Sequence, residues 1–183
     1  MRSPDQGLDR PRQEVPSRER PGDLSNAALT PDLATFCQSG VSIVAASRDG
    51  TGRPVVGRAV GCTINSEARV RILVRRSSNA RLFQAVEERA PLAVTFTRPT
   101  THRSIQLKAA GAQMAGLAPE DVAAAASQAA ALRSELIEDG YTATFATGYC
   151  AFAADDLAAL DFIPSEAFEQ TPGPKAGTPL PQP

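Results

Sequence analysis

Residues 41–64 read VSIVAASRDGTGRPVVGRAVGCTI. Val41 to Ser47 is apolar and β-branched, Asp49-Gly50-Thr51-Gly52 carries turn residues, and Pro54 to Ile64 resumes an extended run, so the stretch predicts a β-hairpin. A third strand follows the short turn Asn65-Ser66-Glu67-Ala68. There Val70, Ile72 and Val74 alternate with Arg69, Arg71, Leu73 and Arg75, the period of a half-exposed strand. Strands joined by tight turns lie antiparallel, which argues against a doubly wound parallel sheet.

Working outward, Thr30-Pro31-Asp32 opens a short helix with a hydroxyl cap and proline in its first turn, ending near Gly40. On the other side Ser77-Ser78 is expected to cap a helix in which Ala80, Leu82, Phe83, Val86 and Ala90 fall at helical spacing, and Pro91 stops it. A strand over Leu92 to Thr97, a loop, and one long strand from His102 to Met114 come next, with Gly111 marking a bulge or bend. Pro119 starts an alanine-rich helix that reaches Glu138 and stops at Gly140, and a last strand covers Leu157 to Ile163. The order predicts an α+β fold in which an antiparallel sheet curls into a barrel with peripheral helices.

Two flanks differ in composition. Residues 1–26 hold Pro4, Pro11, Pro16 and Pro21 among five arginines and five acidic residues, with almost nothing to bury, so this arm is expected to be disordered. Thr171 to Pro183 carries five prolines and two glycines and reads as a tail that can lie extended on a surface. The folded domain is expected over 27–170.

Nineteen basic and twenty acidic residues nearly cancel. That balance favours neither nucleic acid nor a strongly charged partner and leaves a small molecule as the expected ligand. No apolar run is long enough to cross a bilayer, and the residues after Met1 lack the apolar centre of a secretory signal, so a cytoplasmic setting is expected. Cys37, Cys62 and Cys150 are widely spaced and joined by a single histidine; they read as buried small apolar residues, and no metal is expected. With no tryptophan and few aromatics, the core must be filled by closely packed small side chains.

Motifs for dinucleotides, nucleoside triphosphates and serine hydrolysis are absent. What remains is a set of polar side chains on or just beyond strands: Arg58, Thr63, Arg75, Arg76, Ser77, Ser78, Arg81, Thr101, His102, Gln106 and Lys108. Arginines and hydroxyls running into a helix start suit a phosphate ester; the same residues also make an ordinary solvated turn before a capped helix. His102 is either a hydrogen-bonded loop residue or a candidate acid or base.

From Gly40 to Gly111 the chain resembles the FMN-binding split barrel of proteins related to pyridoxamine 5'-phosphate oxidase. Gly57-Arg58-Ala59-Val60-Gly61-Cys62-Thr63 looks like that family's Arg-x-Val strand, and Leu73-Val74 running through Ser77-Ser78-Asn79-Ala80-Arg81 looks like its strand and phosphate-contacting turn. Gln106 stands before Gly111 as the family's flavin-contacting glutamine does. The tail from Phe168 to Gly177 resembles that of one uncharacterised subgroup. The resemblance implies an antiparallel split β-barrel, a homodimer with FMN between subunits, and flavin oxidoreductase chemistry. It implies a site lined by Arg58, Ala59, Val60, Thr63, Leu73, Val74, Ser77, Ser78, Asn79, Arg81 and Gln106, with His102 as the candidate catalytic group. Ala80 stands where the family has lysine, so Arg75, Arg76 or Arg81 would supply that charge. The family's C-terminal tryptophan segment has no counterpart, so its pyridoxal phosphate substrate is not carried over. A flavin- or haem-binding module without turnover, with His102 as the available imidazole, and a cofactor-free interaction protein on the same fold are the alternatives.

Deleting residues 1–26 is expected to leave the melting temperature and any cofactor binding unchanged, because the arm offers little apolar area to bury. A large drop in melting temperature on truncation, read by calorimetry, overturns this.

Overall fold

A computed structural model describes residues 29–181; the arm expected over residues 1–26 lies outside them. The chain runs α1 (Pro31–Cys37), β1 (Ser42–Arg48), β2 (Pro54–Ile64), β3 (Val70–Arg75), α2 (Ala80–Glu87), β4 (Leu92–Thr97), β5 (Ser104–Ala109), β6 (Gln113–Ala115), α3 (Pro119–Glu138), α4 (Ala143–Cys150), β7 (Leu157–Phe162) and β8 (Glu166–Glu169). All eight strands form one antiparallel sheet in the order β6-β7-β3-β2-β1-β4-β5-β8.

Both early turns are organised by a side-chain oxygen at their first residue. Between β1 and β2 the Asp49 carboxylate accepts from Thr51 N at 2.9 Å, Thr51 Oγ1 at 2.7 Å and Arg53 N at 2.9 Å. Between β2 and β3 the Asn65 carbonyl accepts from the amides of Glu67 and Arg69, both at 3.0 Å.

The sheet is closed on itself by chain length. In a flat sheet β5 and β6 would lie six strand spacings apart, about 29 Å. Yet only Ala110, Gly111 and Ala112 connect them, four peptide steps that span at most about 14 Å. The sheet therefore curls until its edges approach. The edge strands β6 and β8 do not pair with each other, which makes the barrel a split one. The single long strand expected from His102 to Met114 is thus two strands on either side of the split, because closure turns the chain between them. Gly111 adopts an ordinary φ at that turn, and the bulge of this sheet falls instead in β2, between Ala59 and Gly61.

Strand alternation sends Ile43, Ala45, Val94, Phe96, Ile105 and Leu107, with Val70, Ile72, Val74 and Leu160 from the other half, into one interior cluster. Helix α2 packs against β1, β2 and β6. Outside the barrel, α3 covers β2, β3 and β7, where Ala125 meets Leu73, Leu157 and Ala159. Small residues permit that approach: a Cβ on Gly61 would lie 2.9 Å from Ala125 Cα, and one on Gly40 only 2.7 Å from the Ala131 carbonyl carbon. Gln128 of α3, buried against the sheet, accepts from the Cys62 amide and donates to Cys37 O at 3.2 Å. Arg71 of β3 joins Asp161 of β7 through two bonds of 2.8 and 3.0 Å, and reaches Asp121 in the first turn of α3 at 3.0 Å. Cys37, Cys62 and Cys150 are buried and unpaired; burial pushes the Cys37 thiol up to about 12.

Three local readings differ from the expectations. Helix α2 begins at Ala80 with Asn79 in the cap position and ends at Glu87, because Ser77 and Ser78 are engaged in the preceding turn. Helix α4 was not anticipated; its Thr142 cap accepts from Phe145 N at 3.2 Å, but β-branched and glycine residues blur its period, and it is held by Leu132, Leu136, Ala146 and Cys150 packed between α3 and α4. Strand β8, short and acidic at both ends, pairs with β5 from Lys108 to Ile105. The proline-rich tail folds back on it, with Leu180 N donating to Ala167 O at 2.8 Å and Glu169 N to Thr178 O at 2.9 Å. Among the described residues no helix is long and apolar enough to cross a membrane.

Gly40→Ala is expected to lower stability by about 1–3 kcal/mol, since its methyl group meets a helix backbone that cannot move aside without lifting α3. Gly148→Ala, in α4 with nothing within 4 Å, is expected to raise it by roughly 0.5–1 kcal/mol. Urea denaturation of both variants checks the contrast.

Candidate functional site

The helices cover only part of the barrel's outer surface. Among the described residues no helix packs closely on β4, β5 or β8, and the register lines their outward side chains up in rows with those of β1 and β2. Arg58 pairs with Val44, Val44 with Thr95, Thr95 with Gln106 and Gln106 with Phe168. The next row holds Val56, Ala46, Ala93, Lys108 and Glu166. Val56 is 65% exposed and Val44 36%, an apolar surface on the outside of a sheet. Two sequence candidates 48 residues apart, Arg58 and Gln106, thereby share one row of one face, three strand spacings or about 14 Å apart.

Each is held by a neighbour. Gln106 Nε2 donates to Thr95 Oγ1 at 3.1 Å, which fixes the amide and leaves its carbonyl oxygen as an outward acceptor. The Arg58 guanidinium stacks 3.7 Å from the centre of the Tyr149 ring and also donates to the Tyr149 carbonyl. Tyr149 in turn meets Ser42 Oγ at 3.2 Å through its hydroxyl and continues a ladder of stacked rings with Phe145 and Tyr141 along α4. The space between Arg58, Val60, Leu132 and Tyr149 is only about 10 Å³, room for no more than a water. Any larger ligand at Arg58 lies on the open side. There the second row borders a groove of about 490 Å³ whose floor includes Ala46 and Ala93 and whose walls include Arg48 and Lys108. The Lys108 ammonium lies 4.2 Å from the centre of the Phe168 ring.

The turn from Arg75 to Asn79 joins this face through Asn79. Its buried amide accepts from Arg58 N at 3.1 Å and donates to Arg75 O at 2.7 Å. Gly57 leaves the space that this amide fills, for a Cβ there would strike Asn79 Oδ1. Asn79 thus brings Ser78, which is exposed and accepts from Asn79 Nδ2 at 3.3 Å, beside Arg58. Ser77 is already engaged: its amide donates to Asp156 Oδ1 at 2.8 Å and its hydroxyl to Asp156 Oδ2 at 2.6 Å. Those hydrogen bonds, with the charges of Arg75 and Arg76, hold the Asp156 carboxyl below the usual carboxylate range. Arg81 is exposed.

The remaining candidates lie elsewhere. Ala59 and Val74 face the interior cluster and Leu73 the layer beneath α3, so only their backbone could meet a ligand. Val60 sits at the β2 bulge and packs with that outer layer. Thr63 lies five residues past Arg58, opposite Arg71. His102 stands in the β4–β5 turn with a left-handed φ of 57°; its amide donates to Arg98 O at 2.9 Å, and its imidazole bonds to no described residue. Asp156 and Tyr149 were not singled out from sequence. Nothing in an Asp-Asp pair before a strand, or in an aromatic on an unrecognised helix, announces a partner 79 or 91 residues away.

No family model and no curated protein matches the chain. Among solved structures it is similar to HupZ of Group A Streptococcus, with 11% identity over 81% of this chain and 99% of that one and a TM-score of 0.49. It is also similar to a pyridoxamine 5'-phosphate oxidase-related, FMN binding protein from Nostoc punctiforme, with 11% identity over 81% and 88% and a TM-score of 0.46. A third is HutZ, the heme storage protein from Vibrio cholerae, with 16% identity over 77% and 94% and a TM-score of 0.43. Likenesses this loose assign neither a cofactor nor an activity to this chain.

Asn79→Ala is expected to cost about 2–3 kcal/mol, because it strips partners from the Arg58 amide and the Arg75 carbonyl at a buried site. Thermal and urea unfolding check the size of the loss; a change within a few tenths of a kcal/mol overturns the role given to this amide.

Proposed function

We propose that this chain is a flavin-binding protein, FMN being the form that the resemblance of its β2–α2 segment implies, and that it acts as an FMN-dependent oxidoreductase on a small molecule. The observation that carries the reading is the row Arg58, Val44, Thr95 and Gln106 on an uncovered sheet face. A planar ring system fits a flat floor of small side chains with an amide acceptor at one end and a guanidinium at the other. The bound flavin supplies two-electron chemistry, and the protein supplies binding and orientation. In this arrangement Gln106 would hold the ring through its carbonyl oxygen, and Arg58, pinned by Tyr149, would hold the other end. His102, in the β4–β5 turn, remains the candidate proton carrier. The fit is uneven: the sheet face suits the ring, whereas Ser77 has its donors occupied by Asp156 and does not suit a phosphate as it stands.

The exposed Val44 and Val56 support a homodimer, in which a second copy covers this face and excludes water from the ring. Flavin and haem binding are separated by the absorption spectrum of the purified protein, and a colourless protein that fails to quench added FMN overturns the proposal.

Gln106→Ala is expected to weaken FMN and riboflavin by the same factor, about three- to tenfold, since its partner is the ring both share. Val56→Glu is expected to give a monomer by light scattering, with flavin affinity falling alongside. A Gln106 variant with unaltered affinity for both ligands removes the ring from this row.

A further inference from the structure

We propose that Asp156 is an internal anion that competes with a ligand's phosphate for the Ser77 turn, and that it thereby sets the choice between phosphorylated and unphosphorylated forms of the ligand. The ligand's identity rests on the flavin reading above; the competition for the turn does not. Ser77 gives both of its donors to one carboxylate, the amide at 2.8 Å to one oxygen and the hydroxyl at 2.6 Å to the other. Two donors converging on two oxygens of an anion is the arrangement a phosphate would demand of the same residue. Neither donor has a second hydrogen to offer.

The carboxylate is positioned by the backbone as well as by Ser77. Asp156 closes the 3-10 turn Ala154–Asp156 just before β7, and its carbonyl accepts from Arg76 N at 2.7 Å. Arg76 also donates through Nε to Leu157 O at 3.1 Å. Of the arginines expected to neutralise a phosphate, Arg75 and Arg76 already act on Asp156, and Arg81 acts on Asp49. A phosphate arriving at this turn therefore meets a negative charge where it needs donors, and it can bind there only if the half-buried Asp156 side chain swings out. The ring half of the face carries no such obstruction. The protein should accordingly bind FMN and riboflavin with similar affinity, and the residue responsible is Asp156 rather than the missing lysine at Ala80.

The test compares the full-length protein with Asp156→Ala and Asp156→Asn, the latter keeping an acceptor for Ser77 without the charge. Expected is an FMN-to-riboflavin affinity ratio near one in the parent, raised about ten- to hundredfold by Asp156→Ala and by less in Asp156→Asn, with riboflavin affinity unchanged. A parent that already favours FMN tenfold, or a ratio that neither variant alters, overturns the proposal. A second readout needs no flavin: on titration with inorganic phosphate, the Ser77 amide resonance should shift and saturate in the Asp156 variants and stay fixed in the parent. If no variant binds flavin while the phosphate response appears, the flavin reading fails and the role of Asp156 stands. If the Ser77 amide ignores phosphate in both folded variants, the role of Asp156 fails.

Discussion

Three residues, Ala110 to Ala112, must join strands that a flat sheet would hold about 29 Å apart, and the barrel is the shape that satisfies them. Once the sheet curls, its concave face can be filled by side chains from strands distant in the order, so Phe96 and Leu160 belong to one core. Closure stops short of hydrogen bonding between β6 and β8. The proline-rich tail, folded back along β8, occupies part of the exposed β8 edge, which would otherwise present unpaired backbone groups.

The second constraint is how closely α3 can lie on the outside of β2. A helix carrying long side chains would stand off the sheet, but alanines facing Gly40 and Gly61 bring the two backbones into contact. That intimacy lets Gln128 bond to both Cys62 and Cys37 and lets Arg71 reach two carboxylates on different elements. It also fixes what is left uncovered. With α3 committed to β2, β3 and β7 and α4 packed on α3, no helix among the described residues packs closely on β4, β5 or β8, and Val44, Val56, Thr95 and Gln106 are presented together because alternation allows nothing else.

Some side chains whose chemistry suits a ligand are spent on the fold: Asn79 binds β2 to the β3–α2 turn, and Ser77 holds Asp156. A polar residue in a turn has the same hydrogen-bonding capacity whether it meets a ligand or a neighbouring carboxylate. Only the distances separate the two, and here they divide the candidates into a free acceptor at Gln106, an exposed Ser78 and Arg81, and a saturated Ser77.

Sequence by itself determined the elements whose signals are local. The hairpin of β1 and β2, the alternation of β3, the bounds of β4 and the capped, alanine-rich α3 were legible because turn residues, period and proline act over a few residues. The α+β class and the antiparallel order followed from them. Arg58 and Gln106 were legible as candidates by residue type and by resemblance. Tertiary structure alone decided the rest. It broke the expected strand from His102 to Met114 in two, since closure depends on the whole sheet order. It formed α4 and β8, whose weak local preferences are outweighed by packing on α3 and pairing with β5. It brought Arg58 into register with Gln106 and Asp156 onto Ser77, because long-range pairing is settled by the burial and hydrogen bonding of the complete chain and leaves no mark in any short stretch of it.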